Sequence, residues 1–186
     1  MSTPVATRPL ALRYLKTIGI VNNGYSGRGF STPCSLAVSR DGRIFVMNRG
    51  DLVRKAVRVG VINLDEDYLF EFGNGYGDED GQFMQTTCIA FDRRDRLYVA
   101  DEYLHRISLF DTSGQFLSKW GTFGDGDGEI DGPSGLAFDS NDDLYVVDQN
   151  NHRIQKFTAE GEFLMTWGQE GSGRGQFNMP WGITLD

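Results

Sequence analysis

The chain has 186 residues, with 18 basic and 26 acidic side chains, a net charge of −8, 24 glycines and 12% aromatic residues. That length suits one domain with a real core, and the acidic balance disfavours nucleic acid and anionic membrane as partners unless basic residues gather on one face. The two cysteines, Cys34 and Cys88, are too few for a disulfide framework and lack zinc-site spacing; free, buried thiols are expected.

Residues 1–13 read as an N-terminal tail. Arg8, Arg13 and Lys16 interrupt "MSTPVATRPLALRYLKTIGIV", which therefore lacks the unbroken apolar core of a secretory signal. No run elsewhere approaches the ~20 apolar residues that span a bilayer, so a cytoplasmic location is the expectation. The first predicted strand is "YLKTIG" (14–19). A four-strand unit at about 27–73 begins with "FSTPCSLAVSRDGRIFVMN" (30–48) and closes with "RVGVINLDEDYLFEFG" (58–73). A second unit, at about 81–121, runs from "FMQTTCIAFDRRDRLYVAD" (83–101) to "HRISLFDTSGQFLSKWG" (105–121). The third, at about 128–168, runs from "IDGPSGLAFDSNDDLYVVD" (130–148) to "HRIQKFTAEGEFLMTWG" (152–168). The opening of a further unit, "FNMPWGITLD" (177–186), makes a partial one at 175–186.

These stretches are copies in register. Pro133 and Pro180 stand 47 residues apart, Thr86 lies 47 before Pro133, and Pro33 holds the same place in the longer first unit, whose extra residues fall mostly in "RGDLVRKAV" (49–57). Within a copy, short runs such as "LYVVD" and "RIQKF" are bounded by "DSNDD" and "TAEG", which is strand-and-turn composition with no helical period. Four strands in 40–50 residues, repeated, is the signature of propeller blades.

Asp101, His105 and Arg106 recur as Asp148, His152 and Arg153, with Asn151 before the second histidine. The pattern D-x-x-N-H-R-I, together with "LYVAD" or "LYVVD" and a Gly-Leu-Ala-x-Asp strand, closely resembles the NHL repeat family over residues 14–186. It is strongest in 81–121 and 128–168, and weakest in 27–73, where Asn48 replaces the strand-ending Asp. The resemblance implies an all-β propeller, usually of six blades. This chain would supply an arc of three full four-stranded blades and two partial ones, with the ring truncated on its C-terminal side.

A group that recurs in successive blades is more simply a part of the blade than a catalyst. Asp148 can accept turn N–H groups, Arg153 can bridge to it, and His152 can pack on the next blade; the same reading holds for Asp101, His105 and Arg106. Trp120 and Trp167 share a column with Phe72 and Ile18, which predicts packing between blades. Trp181 stands where the other copies have Cys34, Thr87 and Ser134, at the start of the channel-lining strand, and is a candidate ligand contact.

Functional expectations concentrate where the copies disagree. The insertion carries Arg49, Arg54, Lys55 and Arg58, a candidate contact surface on the face that also bears the links between blades. One link alternates Asp125, Asp127, Glu129 and Asp131, a set of hard oxygens suited to calcium; solvated acidic turns are the simpler reading, and no cofactor is predicted. The expected function is a non-catalytic binding or scaffold propeller that takes a protein or small ligand. The alternative is a metal-dependent enzyme resembling amidating lyases or lactonases, using zinc or calcium. RNA binding ranks third, because it needs a basic, aromatic-studded face.

Overall fold

A computed structural model describes residues 13–19, 27–50, 57–73 and 75–186. Twelve strands form three separate four-stranded sheets, each an antiparallel meander of consecutive strands. Blade 1 holds β1 (Pro33–Val38), β2 (Ile44–Asn48), β3 (Arg58–Ile62) and β4 (Tyr68–Phe72). Blade 2 holds β5 (Thr86–Phe91), β6 (Leu97–Asp101), β7 (Arg106–Phe110) and β8 (Phe116–Trp120). Blade 3 holds β9 (Pro133–Phe138), β10 (Leu144–Asp148), β11 (Arg153–Phe157) and β12 (Phe163–Trp167). Among the described residues no helix is long and apolar enough to cross a membrane.

The middle strands of blade 2, "LYVAD" and "RISLF", are buried along their whole length, because blades 1 and 3 cover its two faces. The outer strands keep half-buried aromatics at their ends and expose residues between them, as in "FLSKW". Two apolar clusters fill the gaps between blades. Phe45, Val61, Phe83, Val99 and Phe110 join blades 1 and 2; Tyr98, Leu109, Ile130, Val146 and Phe157 join blades 2 and 3. The predicted aromatic column lies across these joints. Phe72 sits 5.0 Å from Phe110, and Trp120 sits 4.9 Å from Phe157, centroid to centroid. Each ring also covers a turn glycine of the next blade. A Cβ added at Gly114 or Gly161 would lie 2.6 Å from Phe72 or Trp120 respectively, and φ there is +84° and +91°, so any side chain would clash and strain the turn.

The innermost strands share a bulge. The ladders of β1, β5 and β9 each skip one residue, at Cys34, Thr87 and Ser134. The skipped side chain reaches the next blade: Thr87 Oγ1 donates to the Pro133 carbonyl at 2.7 Å, and Ser134 Oγ to the Pro180 carbonyl at 3.2 Å. Segment 180–182 thus meets blade 3 as β9 meets blade 2, with the Trp181 and Gly182 backbone against Gly135. At the other end, Gly19 rests on the Phe30 ring as Gly73 rests on Phe83. Residues 14–19 and 178–186 nevertheless form no strand; each lacks an adjacent strand among the described residues and keeps only its contact with the next or preceding blade.

Candidate functional site

The recurring polar residues act on backbone. Asp101 is 1% exposed and accepts N–H groups from Met84, Gln85, Tyr103 and Leu104 at 2.7–3.2 Å. Asp148 is fully buried and accepts from the Asp131 N–H, Arg153 Nε, Asn151 Nδ2 and Gln155 Nε2. These bonds satisfy the donors released where a link turns into a first strand, which is how a buried carboxylate is tolerated. Arg106 donates to the carbonyls of Asp78, Glu79 and Gln82. Arg153 does the same for Asp125, Gly126 and Glu129, at 2.7–2.9 Å. His105 and His152 lie in the left-handed region, with φ of 48° and 54°. Their Nδ1 atoms accept the N–H groups of Gly132 and Met179, at 3.2 and 3.1 Å, in the blade beyond.

This geometry shows where the four link carboxylates go. The carbonyls of the 121–131 link curl inward around a guanidinium, and its side chains disperse. Asp125 and Asp127 are exposed. Glu129 accepts the Gly126 N–H at 2.9 Å. Asp131 accepts from Asn150 Nδ2 at 2.9 Å and lies 3.2 Å from His105 Nδ1. Among the described residues no three His, Cys, Asp or Glu side chains converge on a point fit for a metal ion.

The candidates from the insertion separate. Arg54 and Lys55 lie outside the described residues. Arg58 is not at the surface: it is 3% exposed, pairs with Glu71 at 2.8 Å and donates to the Gly29 carbonyl, so it serves blade 1 as Arg106 and Arg153 serve blades 2 and 3. Arg49 reaches outward. It follows β2 in the position that Glu102 holds after β6 and Gln149 after β10. Its guanidinium pairs with Glu102 at 3.1 Å and lies 6.0 Å from the Trp181 ring centroid. Gln85 Nε2 donates to the same Glu102 carboxylate at 3.0 Å. Trp181 remains 51% exposed. A groove beside this group is lined by Gln85, Glu102, Tyr103, His105 and Asn150.

Both cysteines are free, but not both buried as expected: Cys34 is exposed and Cys88 half-buried. Cys34 Sγ faces the Met47 and Thr86 carbonyls, and loss of water pushes its thiol up to about 11, against a smaller lowering by Arg49. The sequence reading missed Glu102, Gln85 and Tyr103. Glu102 was within reach, since it shares a register with Arg49; the contact between Arg49 and Trp181 joins residues 132 positions apart and no spacing announces it.

A family model for the NHL repeat matches residues 131–157, which carry the second strand of blade 3, its Asn151-His152-Arg153 turn and its third strand. Among solved structures, the chain is similar to a streptogramin B lyase, with 19% identity and a TM-score of 0.64 over 92% of this chain and 49% of that one. It is similar to a catalytically inactive virginiamycin B lyase from Staphylococcus aureus with quinupristin, with 19% identity and a TM-score of 0.62 over 90% and 48%. The WD40 repeats of RRP9 match with 20% identity and a TM-score of 0.57 over 76% and 40%. The chain therefore spans about half the length of the lyases that it resembles. No curated protein matches it. At these identities the structures speak for fold alone, and the repeat match speaks for blade 3: the chain has a β-propeller fold of four-stranded blades, the third of which matches the NHL repeat.

Proposed function

We propose that this arc is a non-catalytic binding module that engages a protein or small ligand through the face bearing the inter-blade links and Arg49. The observation that carries the reading is the meeting of Arg49, Glu102 and Trp181, contributed by three different repeats. All three stand where the copies disagree. A half-exposed tryptophan beside a guanidinium offers apolar area and a fixed charge at one spot, the composition of interaction hot spots. The scaffold beneath is rigid, because its polar groups are committed to one another.

The test compares wild-type protein with Arg49→Ala/Trp181→Ala in affinity capture from extract, with native mass spectrometry for small ligands. Neither residue is buried, so the variant should keep the wild-type circular dichroism and melting point. Loss of the wild-type set in the variant is expected; an unchanged set overturns the proposal.

The lyases among similar structures motivate an enzymatic reading, and the inactive virginiamycin B lyase is a histidine-to-alanine form. Here His105 and His152 hold backbone N–H groups at blade joints, and the channel strands of the described blades bring no histidine. Stoichiometric zinc or calcium in the purified protein would favour that reading over the binding one.

A further inference from the structure

We infer that blade 2 binds an ordered water molecule where Arg106 clasps the incoming link, in the place that the Gln155 side-chain amide takes in blade 3. The water bridges Arg106 Nε, Ser108 Oγ, the Gly81 N–H and the Gln82 carbonyl.

In blade 3 the polar groups of this region are all met by protein. Gln155 is fully buried. Its Oε1 accepts the Gly128 N–H at 3.0 Å, and its Nε2 donates to the Glu129 carbonyl and to Asp148 Oδ2. Arg153 Nε donates to the same Asp148 oxygen at 2.7 Å. One amide thus ties the third strand to the link in front of it.

Blade 2 keeps the frame and lacks the amide. Ser108 stands in register with Gln155, Arg106 with Arg153, Asp101 with Asp148, and Gly81-Gln82 with Gly128-Glu129. The terminal nitrogens of Arg106 fasten the link, with 2.9 Å to the Gln82 carbonyl, so the link is held as blade 3 holds its own. Arg106 and Ser108 are two residues apart on β7 and project on one face of the sheet. They are 8% and 1% exposed, yet Arg106 Nε and Ser108 Oγ have no hydrogen-bond partner among the described residues. Gly81 is buried too, and a serine is too short to bring its N–H what Gln155 brings to Gly128. Blade 1 answers the same need with another amide: Gly60 is in register with Ser108, and Asn48 Nδ2 lies 3.8 Å from where a Cβ of Gly60 would be. The orphaned groups of blade 2 therefore surround a position that an amide holds in both other blades.

The chemistry of the groups selects the occupant. Arg106 Nε–H and the Gly81 N–H are donors only, and two donors repel a metal ion. Asp101, Asp78 and Asp80 all act on the Arg106 guanidinium, and this local excess of carboxylate repels an anion. An apolar group leaves the buried donors unmet. Water accepts from both donors and gives its own protons to the Gln82 carbonyl and Ser108 Oγ, a full set of bonds for a buried water.

The full chain, labelled with 15N, is studied by paired water–amide NOE and ROE spectra, in which a long-lived water gives cross-peaks of opposite sign and proton exchange gives the same sign. Wild-type protein should show the bound-water pattern at the Gly81 amide and at Arg106 Nε–H. Ser108→Ala should keep it, because three partners remain, whereas a signal relayed by the serine hydroxyl would vanish. Ser108→Gln should lose it, since the new amide takes the water's place. Gln155→Ser should give Gly128 the same pattern. Amide dispersion verifies that each variant folds, and the wild-type spectrum decides alone for any that does not. Raising chloride at constant ionic strength should leave the Gly81 shift unchanged. No wild-type peak at Gly81, its loss in Ser108→Ala, its survival in Ser108→Gln, no gain at Gly128 in Gln155→Ser, or a saturable chloride shift would each overturn the assignment.

Discussion

In blade 3 the strand-ending Asp148 takes four donors and holds Arg153, which in turn holds the incoming link. In blade 1 Asn48 stands in the same place and works differently. Its Oδ1 accepts the Ser31 N–H at 2.9 Å, while its Nδ2 donates to the Val46 and Arg58 carbonyls at 3.0 and 3.3 Å. The counter-ion for the arginine has moved to Glu71 on β4, which pairs with Arg58 at 2.8 Å and accepts the Gly27 N–H at 3.1 Å. Histidine is gone too, replaced by buried Val57. The lesson is that a blade requires its link's backbone groups to be met and its arginine to be neutralised. Which strand supplies the carboxylate is open, so a blade can lose the recognisable motif and keep its shape.

The largest expected effect comes from breaking the blade 3 arrangement. Asp148→Ala leaves the half-buried Arg153 guanidinium without its counter-ion and the Asp131 N–H without its acceptor, and should cost about 3–5 kcal/mol. Asn48→Ala should cost about 1–2 kcal/mol, since only neutral bonds are lost. Urea denaturation at constant m-value measures both, and equal losses would erase the distinction drawn between the blades.

A sharper test restores the acid that blade 1 lacks. Asn48→Asp turns a donor into an acceptor against the Val46 and Arg58 carbonyls while Glu71 still neutralises Arg58. It should destabilise by roughly 1–3 kcal/mol despite matching the repeat pattern better. A gain in stability would mean that Arg58 swings back to the strand-ending position, and that the two arrangements interconvert.

The smallest effect is chemical. Cys34 stands where blade 3 has Ser134, and its thiol is pushed from 9.0 up to about 11, chiefly by loss of water. The thiolate appears only as pH rises through that higher value, so alkylation by iodoacetamide at pH 8 should be roughly a hundredfold slower than for a thiol at 9.0. Arg49→Ala should slow it further, because Arg49 lowers the value. The rate-against-pH profile of a Cys88→Ser protein reads this directly, and an inflection near 9 would contradict it.

Much of this fold is legible in the residues. "LYVVD" and "RIQKF" coincide with β10 and β11, because turn residues bracket each run and the copies reinforce one another. The aromatic column through Phe72 and Trp120 follows from register alone. The segments at 14–19 and 177–186 read as strands by the same logic, yet a strand needs a neighbour for its ladder, and composition does not supply one. The site was half legible. Arg49 and Trp181 stand out as places where the copies differ, but their contact joins the first repeat to the last one and depends on how the blades pack between them. Arg58 reads as one more basic residue of an insertion, although its register with Arg106 marks it as part of the blade. The acidic link reads as solvated turns, with calcium the lesser expectation, and its side chains give no sign that its backbone surrounds the Arg153 guanidinium.

The arginine clamp also bears on how the chain comes together during synthesis. Arg153 reaches back to the Asp125 carbonyl, 28 residues earlier, and Arg106 reaches back by 28 to Asp78. In blades 2 and 3 every such partner precedes the arginine, so nothing downstream is needed to close the clamp, whereas Arg58 in blade 1 pairs with Glu71 ahead of it. A nascent chain can fasten each of these two links as soon as the third strand of that blade clears the ribosome. The histidines, bonded 27 residues ahead to Gly132 and Met179, and the bulge hydroxyls of Thr87 and Ser134, bonded 46 ahead to Pro133 and Pro180, must wait for the following blade. Assembly can then proceed vectorially, with each finished blade presenting the next with a surface already in place.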